Sequence, residues 1–244
     1  MEEGKDAGLS GGAAAEYRFY YDFQDRVSRV STEVKAVGPG SGMMDISGDY
    51  IYHYIDEDSL SVTRQVLQYG GGNGISENSL LEVRMDVSGR VASVEDSAGG
   101  LRMQYAYGED SRLVSIDKVW LQDTAGQSTF HISVAWTEDG NIDALECGQH
   151  VYRFEYGDAP FRNNLNVDLA CWLVEMEYLE EMPLWSIGLL GGRNRNLPSS
   201  VSAERGSERV RLIDFSYMTD GSEITSFSIN RVSGGVATYG IDYE

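Results

Sequence analysis

The sequence is poor in basic residues, cysteine, proline and histidine, and these shortages exclude several classes of protein. The chain has 19 Lys and Arg against 39 Asp and Glu, so its net charge of −20 repels a phosphate backbone and an anionic membrane surface. We therefore expect no nucleic-acid partner. Cys147 and Cys171 are too few for a disulfide scaffold and lack metal-ligand spacing, so we expect buried thiols. No run of apolar residues is long enough for a membrane-spanning helix.

What the chain has in quantity are residues of strands and tight turns. It contains 28 Gly and 15 Tyr but only 4 Pro, which favours a mainly β protein. A chain of 244 residues fits one all-β domain with a real core. The opening MEEGKDAGLSGGAAAE has the composition of a flexible spacer. We predict a spacer over residues 1–15 and a single β-rich domain over 16–244.

One short pattern recurs five times and predicts a series of β-hairpins. Its copies are FYYDFQDRVSRV, YHYIDEDSLSVT, VRMDVSGRVASV, YAYGEDSRLVSI and VAWTEDGNIDAL. We number each copy from its reference residue, taken in turn as Tyr21, Tyr54, Met85, Tyr107 and Trp136. An apolar residue two positions earlier shares a strand face with each reference residue, so every copy begins as a half-buried strand.

The second half of each copy predicts a turn and a returning strand. Position plus four, where a type I turn needs a left-handed residue, holds Asp25, Asp58, Gly89, Ser111 and Gly140. Apolar residues follow at plus six, and mostly apolar ones at plus nine. A spacing of three puts both on one face only if a bulge intervenes. A sixth copy, FSYMTDGSEITSF, has its apolar residues one position late, which indicates a bulge or a lengthened turn. We predict a large curved antiparallel sheet of sequential hairpins.

The pattern stops over residues of about 160–192, where we predict a two-helix insertion packed on one sheet face. NVDLACWLVEMEYLEEM has apolar residues at helical spacing, with Asn166 as N-cap and Asp168 at the positive end of the helix dipole. PLWSIGLL predicts a second short helix that Gly191 and Gly192 terminate. Core packing is the favoured role of both helices, and a lid over a ligand cavity is the alternative.

The hairpins resemble those of YD-repeat proteins. The order of VAWTEDGNIDAL, YRFEYGD, the insertion, NRNLPSSV and FSYMTDGSEITSF resembles a domain family of unknown function common among candidate lipoproteins of Bacteroidetes, over roughly residues 16–244. The resemblance implies export and tethering to the cell envelope through a lipidated cysteine outside this sequence. It implies an antiparallel sheet around inserted helices, and it brings no catalytic residues.

No motif in the sequence predicts catalysis, a cofactor or a metal site. There is no G-x-S-x-G elbow and no HExxH, and His53, His131 and His150 lie in or beside predicted strands. The glycines of YGGGNGIS, residues 70–74, lack the Lys and Ser or Thr of a phosphate-binding loop. Asp56, Glu57 and Asp58 occupy a turn and are expected to be solvated, with weak calcium binding as the alternative.

Four residues are candidate contacts for a ligand or a partner. Trp172 and Trp185 carry large apolar surface in the insertion, and Arg193 and Arg195 form a local basic concentration in an acidic chain. The arginines could bind an anion or a glycan, but pairing with carboxylates where the chain re-enters the sheet is the favoured interpretation.

Three functions follow as hypotheses. The first is a non-catalytic, exported envelope protein that presents a binding surface to a protein or a glycan. The second is a carrier or chaperone for a hydrophobic ligand held between sheet and helices. The third is a hydrolase with a site assembled from loops.

Overall fold

A computed structural model describes residues 13–38, 42–69, 75–96, 98, 100–120, 128–160, 168, 171, 184–185, 187–221, 223–232 and 236–240. Within these residues the chain is almost entirely β-strand. The strands are β1 (Ala13–Tyr21), β2 (Val27–Gly38), β3 (Gly42–Tyr54), β4 (Ser59–Tyr69), β5 (Ile75–Met85), β6 (Val91–Asp96), β7 (Leu101–Tyr107), β8 (Leu113–Trp120), β9 (Ser128–Trp136), β10 (Ile142–Cys147), β11 (His150–Pro160), β12 (Asn196–Arg205), β13 (Glu208–Asp220), β14 (Glu223–Arg231) and β15 (Val236–Gly240).

The 15 strands pair in sequence order, so that each strand lies beside the strands that precede and follow it in the chain. The predictions of a mainly β fold and of an antiparallel sheet of sequential hairpins are confirmed. β1 begins at Ala13, inside the segment assigned to the spacer, and residues 1–12 lie outside the described part. The single-domain prediction for residues 16–244 stays a prediction.

The chain divides into two compact units. One unit comprises Met1–Tyr52, Thr63–Ser79 and Leu212–Glu244, and the other comprises His53–Val62 and Leu80–Arg211. In the first unit, buried Val30 in β2 and Phe227 and Ile229 in β14 belong to the core. The second unit contains four of the five reference residues and the described candidate site residues.

A β-bulge in each of four hairpins explains the spacing of the apolar residues. Tyr21 pairs with Val27, whereas Tyr20 pairs with Arg29, so Ser28 is the extra residue and both Val27 and Val30 are buried. The register shifts at the same place in the hairpins β5–β6, β7–β8 and β9–β10. The predicted bulge is therefore confirmed in these copies, and it brings the residues at plus six and plus nine onto the buried face.

The β3–β4 hairpin and the sixth copy depart from this pattern. In β4 the buried residues are Leu60 and Val62, two apart, so simple alternation applies and Thr63 at plus nine is only half-buried. In the sixth copy Thr219 pairs with Ile224, and a bulge follows before Met218 pairs with Ser226. The extra residue, Thr225, follows Ile224, so this bulge accounts for the spacing of three between the buried Ile224 and Phe227. It does not account for their late position.

Left-handed residues close the four bulged turns, as the sequence predicts. The φ angles are 57° at Asp25, 72° at Gly89, 65° at Ser111 and 88° at Gly140. Asp58, at the same position of the β3–β4 turn, is not left-handed. Because a residue with a Cβ is strained in this conformation, Asp25 and Ser111 carry a local energetic cost of about 1–2 kcal/mol.

Hydrogen bonds made by an aspartate and an arginine side chain stabilise two of these turns. Asp22 Oδ1 accepts hydrogen bonds from the backbone N–H groups of Gln24 and Arg26, and its Oδ2 accepts from the Arg26 guanidinium at 2.8 and 2.6 Å. Asp86 and Arg90 repeat the arrangement in the β5–β6 turn. Burial alone would raise the pKa of Asp86, but the hydrogen bonds from Arg90 and Ser88 outweigh burial and lower it.

The structure does not support the predicted helical insertion. The first helix lies outside the described residues except for Asp168 and Cys171, of which Cys171 is helical. The second helix is wrong over its described residues, which form turns. Gly188, with φ of 86°, donates to the Trp185 carbonyl while Leu189 donates to the Leu184 carbonyl, both at 2.9 Å. This pair of bonds is the Schellman motif, and Gly188 ends the turn before Gly191 and Gly192 are reached.

We expect the substitution Ser111→Gly to stabilise the protein by about 0.5–1 kcal/mol, because glycine removes the left-handed strain. The greater conformational entropy of glycine in the unfolded chain offsets only part of this gain. The matched control is Asp58→Gly, at the same repeat position but without positive φ, which should not stabilise. Chemical denaturation of both variants measures the difference. A gain in Asp58→Gly equal to that in Ser111→Gly would contradict the explanation.

Candidate functional site

A segment comprising residues 187–196, called here the crossing segment, passes over the turn ends of three successive hairpins. The Leu189 carbonyl accepts from the Val91 N–H of β6 at 3.0 Å. Gly191 forms an antiparallel bridge with Arg112, and Gly192 donates to the Ser111 carbonyl at 3.2 Å. Neighbouring hairpins lie two strands, or about 10 Å, apart, which about three extended residues span. The crossing segment thus advances one hairpin every two or three residues.

The third hairpin, β9–β10, is joined to the crossing segment by asparagine side chains. Asn141 Oδ1 accepts from the backbone N–H groups of Arg195 and Asn196, both at 2.8 Å. The Asn141 side-chain amide donates to Asn196 Oδ1 at 3.1 Å. β12 begins at Asn196, so these bonds fix the point where the chain re-enters the sheet. The predicted pairing of Arg193 and Arg195 with carboxylates at this re-entry point stays a prediction.

Asn194 is the centre of a buried polar cluster. Its Oδ1 accepts from the backbone N–H of Ile142 and from the Tyr156 hydroxyl, both at 2.8 Å. Its backbone N–H donates to Asp168 Oδ2 at 2.8 Å, and its side-chain amide donates to both oxygens of Asp168. Asn194 and Asp168 are both buried. Because buried polar groups are costly unless they are paired, this cluster specifies one position for the crossing segment.

Asp168 also caps the backbone near Cys171. Its Oδ1 accepts from the Cys171 N–H at 3.1 Å, which is the bond that an N-cap residue accepts from the third residue of a helix. The sequence placed Asp168 near this end but named Asn166 as the cap, and Asn166 lies outside the described residues. Sequence reasoning missed the pairing with Asn194 because 26 residues separate the two in the chain.

Aromatic rings and arginines pack beneath the crossing segment. The ring centroids of Trp136 and Trp185 lie 6.2 Å apart in an edge-to-face arrangement, and the Arg112 guanidinium lies 5.3 Å from the Trp136 ring centroid. Tyr107 donates to the Val91 carbonyl at 2.6 Å beneath the Arg90 guanidinium. Burial raises the pKa of the Tyr107 hydroxyl well above its usual range, and the charge of Asp86 adds to this.

The structure describes three of the four candidate contact residues, and these three lie in different environments. Trp185 is fully buried, Arg193 is half-buried with its guanidinium beside Gly188, and the Arg195 side chain is exposed. Trp172 lies outside the described residues. The role of these residues in binding stays a prediction.

The two cysteines are buried, whereas the acidic turn of the β3–β4 hairpin is exposed. Cys147 and Cys171 form no disulfide. Burial raises the pKa of Cys147 to about 11, with the nearby Lys118 charge acting in the opposite direction. Asp56 accepts from the Asp58 N–H and the Ser59 hydroxyl in an exposed turn. Among the described residues no group of three or more His, Cys, Asp and Glu is placed to hold a metal ion. Residues 70–74 lie outside the described part.

A second arrangement, which sequence reasoning missed, lies on the exposed sheet face. His131 Nδ1 is 2.6 Å from Asp117 Oδ1, and the Ser133 hydroxyl is 3.2 Å from His131 Nε2. These are the contacts between the members of a Ser-His-Asp triad. The only sequence signal is His-x-Ser on one strand, since Asp117 joins it through the register of β8 and β9.

Comparisons with known proteins support the fold and do not assign a family. No protein-family model matches the sequence, and no curated protein is significantly similar to it. The chain is similar to a porin-like protein from Bacteroides uniformis, with a TM-score of 0.67 and 13% identity over 100% of this chain and 95% of that one. A porin-like protein from Bacteroides vulgatus matches with a TM-score of 0.37 and 12% identity over 99% of this chain and 97% of that one. In the described residues no helix has the length and apolar character needed to cross a membrane.

We expect Asn194→Ala to destabilise the protein by at least about 3 kcal/mol, because it leaves buried donors and the Asp168 carboxylate with fewer partners. Arg195→Ala is the matched control, since its exposed side chain is removed while its backbone bonds remain, and it should cost no more than about 0.5 kcal/mol. Urea denaturation measures both values. Similar values for the two variants would contradict the central role of Asn194.

A second pair of substitutions tests how closely the crossing segment packs against the turn below it. Gly89 and Gly191 both have positive φ, but a Cβ at Gly89 meets open space whereas a Cβ at Gly191 collides with the backbone carbonyl of Ser111. Gly89→Ala should therefore cost about 1–2 kcal/mol from the backbone alone. Gly191→Ala should cost at least about 2 kcal/mol more, because a backbone neighbour must move. Equal losses of unfolding free energy in the two variants, measured by denaturation, would show that the crossing segment is not closely packed at Gly191.

Proposed function

We propose that this chain is a non-catalytic protein of the cell envelope that binds another protein through the tips of its hairpins. The envelope assignment is supported by the fold that the chain shares, over its full length, with a porin-like protein from Bacteroides uniformis. The likeness is one of fold, so the binding role has to be argued from this chain's own surface.

The observation that carries the binding role is an apolar side chain exposed at each of two adjacent tips. Ile55 in the β3–β4 turn has an exposed fraction of 67%, and Val87 in the β5–β6 turn is fully exposed. The two turns are joined by a hydrogen bond of 2.8 Å from the Met85 N–H to the Asp58 carbonyl. Because side-chain bonds to Asp56 and Asp86 fix both turns, these apolar groups are presented on ordered backbone.

Charge indicates the chemistry of the partner. Asp56, Glu57 and Asp58 follow Ile55 directly and are exposed, and the chain as a whole has a net charge of −20. A complementary partner surface has apolar side chains among Lys and Arg, because opposite charges at the rim of a contact favour encounter and orientation.

The hairpins under the later part of the crossing segment have different tips. At the repeat position of Val87, the turns β7–β8 and β9–β10 have Glu109 and Glu138, both exposed. The protein therefore offers two polar tips as internal references for the apolar pair.

The carrier hypothesis receives no specific support from the described part of residues 160–192. Trp185, one of its two tryptophans, is fully buried against Trp136 as ordinary core. Trp172 and Leu173 lie outside the described residues.

The test is site-specific photo-crosslinking in cells of the source organism. A photoreactive phenylalanine analogue replaces Val87 in one variant and Glu138 in the other, since both occupy the same position of the same kind of turn. We expect a defined protein adduct in the envelope fraction from position 87 only. Adducts of equal yield at both positions, recovery outside the envelope, or an adduct that contains carbohydrate instead of protein would each contradict the proposal.

A further inference from the structure

We infer that Ser133 is an activated nucleophile that accepts acyl groups from activated esters, with His131 as its base and Asp117 as the residue that positions the base. The inference concerns the exposed face of β8 and β9 and is independent of the proposed binding at the hairpin tips. No nucleophile elbow accompanies the serine, so the sequence motifs did not predict this role.

Sheet register holds the three side chains together. Asp117 of β8 and His131 of β9 are directly paired across the antiparallel strands. Ser133 follows His131 by two residues, so it emerges on the same face. Strand backbone therefore fixes the spacing of Asp117, His131 and Ser133, whereas in many enzymes loops do so.

The hydrogen bonds define the direction in which a proton can move. With its Nδ1 proton donated to Asp117 Oδ1 at 2.6 Å, the neutral imidazole of His131 has its lone pair on Nε2. The Ser133 hydroxyl, 3.2 Å away, donates to that lone pair. Asp117 selects this tautomer and stabilises the imidazolium that forms when the proton is transferred.

The surroundings leave the site open to a small reagent. The side chains of His131 and Asp117 are 57% and 55% exposed, and Ser133 is half-buried. Gln104 of β7 is opposite Asp117, and Glu146 of β10 is opposite Ser133. The charged groups that face His131 from the neighbouring strands are therefore Asp117 and Glu146, while Arg102 on β7 is paired with Glu95.

The proposed reaction is a single acyl transfer. Ser133 Oγ attacks the carbonyl carbon of the ester, an Oγ–C bond forms, and the bond from that carbon to the leaving oxygen breaks. The hydroxyl proton passes to His131 Nε2 and then to the leaving group, which departs as an alcohol or phenol. The products are an acylated Ser133 and the free alcohol, with no oxidation or reduction.

The strands also set a limit on the rate. β9 is paired with β8 on one side and β10 on the other, so its backbone N–H groups donate within the sheet and not to an oxyanion. Each donor missing at an oxyanion typically costs a factor of about 100–1000 in rate. We therefore expect slow, stoichiometric acylation by reactive esters, without rapid turnover.

The experiment treats the purified full chain with 4-nitrophenyl acetate and follows acetylation at individual residues by peptide mass spectrometry. Ser133 should be acetylated well before Ser115, which is its cross-strand partner on β8 and serves as the internal reference. His131→Gln should slow acetylation of Ser133 by at least about 100-fold. Ser115→Ala should leave the rate unchanged, and thermal melting confirms that each variant is folded.

The pH profile separates activation by the triad from simple exposure. The acetylation rate of Ser133 in the native chain is measured as a function of pH, because proton transfer from the serine needs the lone pair on His131 Nε2. Asp117→Asn should lower the rate at least about tenfold and change this profile, because the tautomer is no longer selected. Acetylation of Ser133 no faster than that of Ser115, or a rate and profile unaltered in His131→Gln, would overturn the inference.

Discussion

The bulge that follows the left-handed residue of each turn is the constraint on which the rest of the second unit depends. It places two apolar residues, three apart in sequence, on the same face at the start of the returning strand. In β8 these are Leu113 and Ile116, and in β10 they are Ile142 and Leu145, all of them buried. Because hairpin after hairpin ends in the same way, their turn ends present similar backbone groups side by side. The crossing segment forms hydrogen bonds with these repeated backbone groups.

The crossing segment in turn depends on one asparagine more than on its apolar residues. Leu189, Gly191 and Gly192 bind successive hairpins through backbone atoms, which any sequence with the right φ angles could do. Asn194 adds specificity, because its amide group has to meet Asp168, Ile142 and Tyr156 at once. A shift of one residue would leave several buried polar groups without partners, at about 1–3 kcal/mol each.

The two faces of the sheet have different chemistry. The buried face holds apolar side chains together with the thiol of Cys147, whose pKa is raised by burial. The outer face contains ion pairs such as Arg153 with Asp143 and Glu204, and it also holds the triad of Asp117, His131 and Ser133. Surface ion pairs contribute little to stability, so the outer face is free to serve recognition or chemistry.

The sequence alone determined the hairpins, because their signals are local: reference residues such as Tyr107 and Trp136 end strands, Gly89 and Gly140 take positive φ, and plus six is buried. The prediction from sequence was wrong in the insertion. The helical spacing in PLWSIGLL did not produce a helix there, because Gly188 ends the turn and the following backbone forms hydrogen bonds with the hairpin turns. Tertiary structure alone decided the pairing of Asn194 with Asp168 and of His131 with Asp117. Both pairs join residues far apart in the chain, and only strand register or the path of the crossing segment brings them within hydrogen-bonding distance.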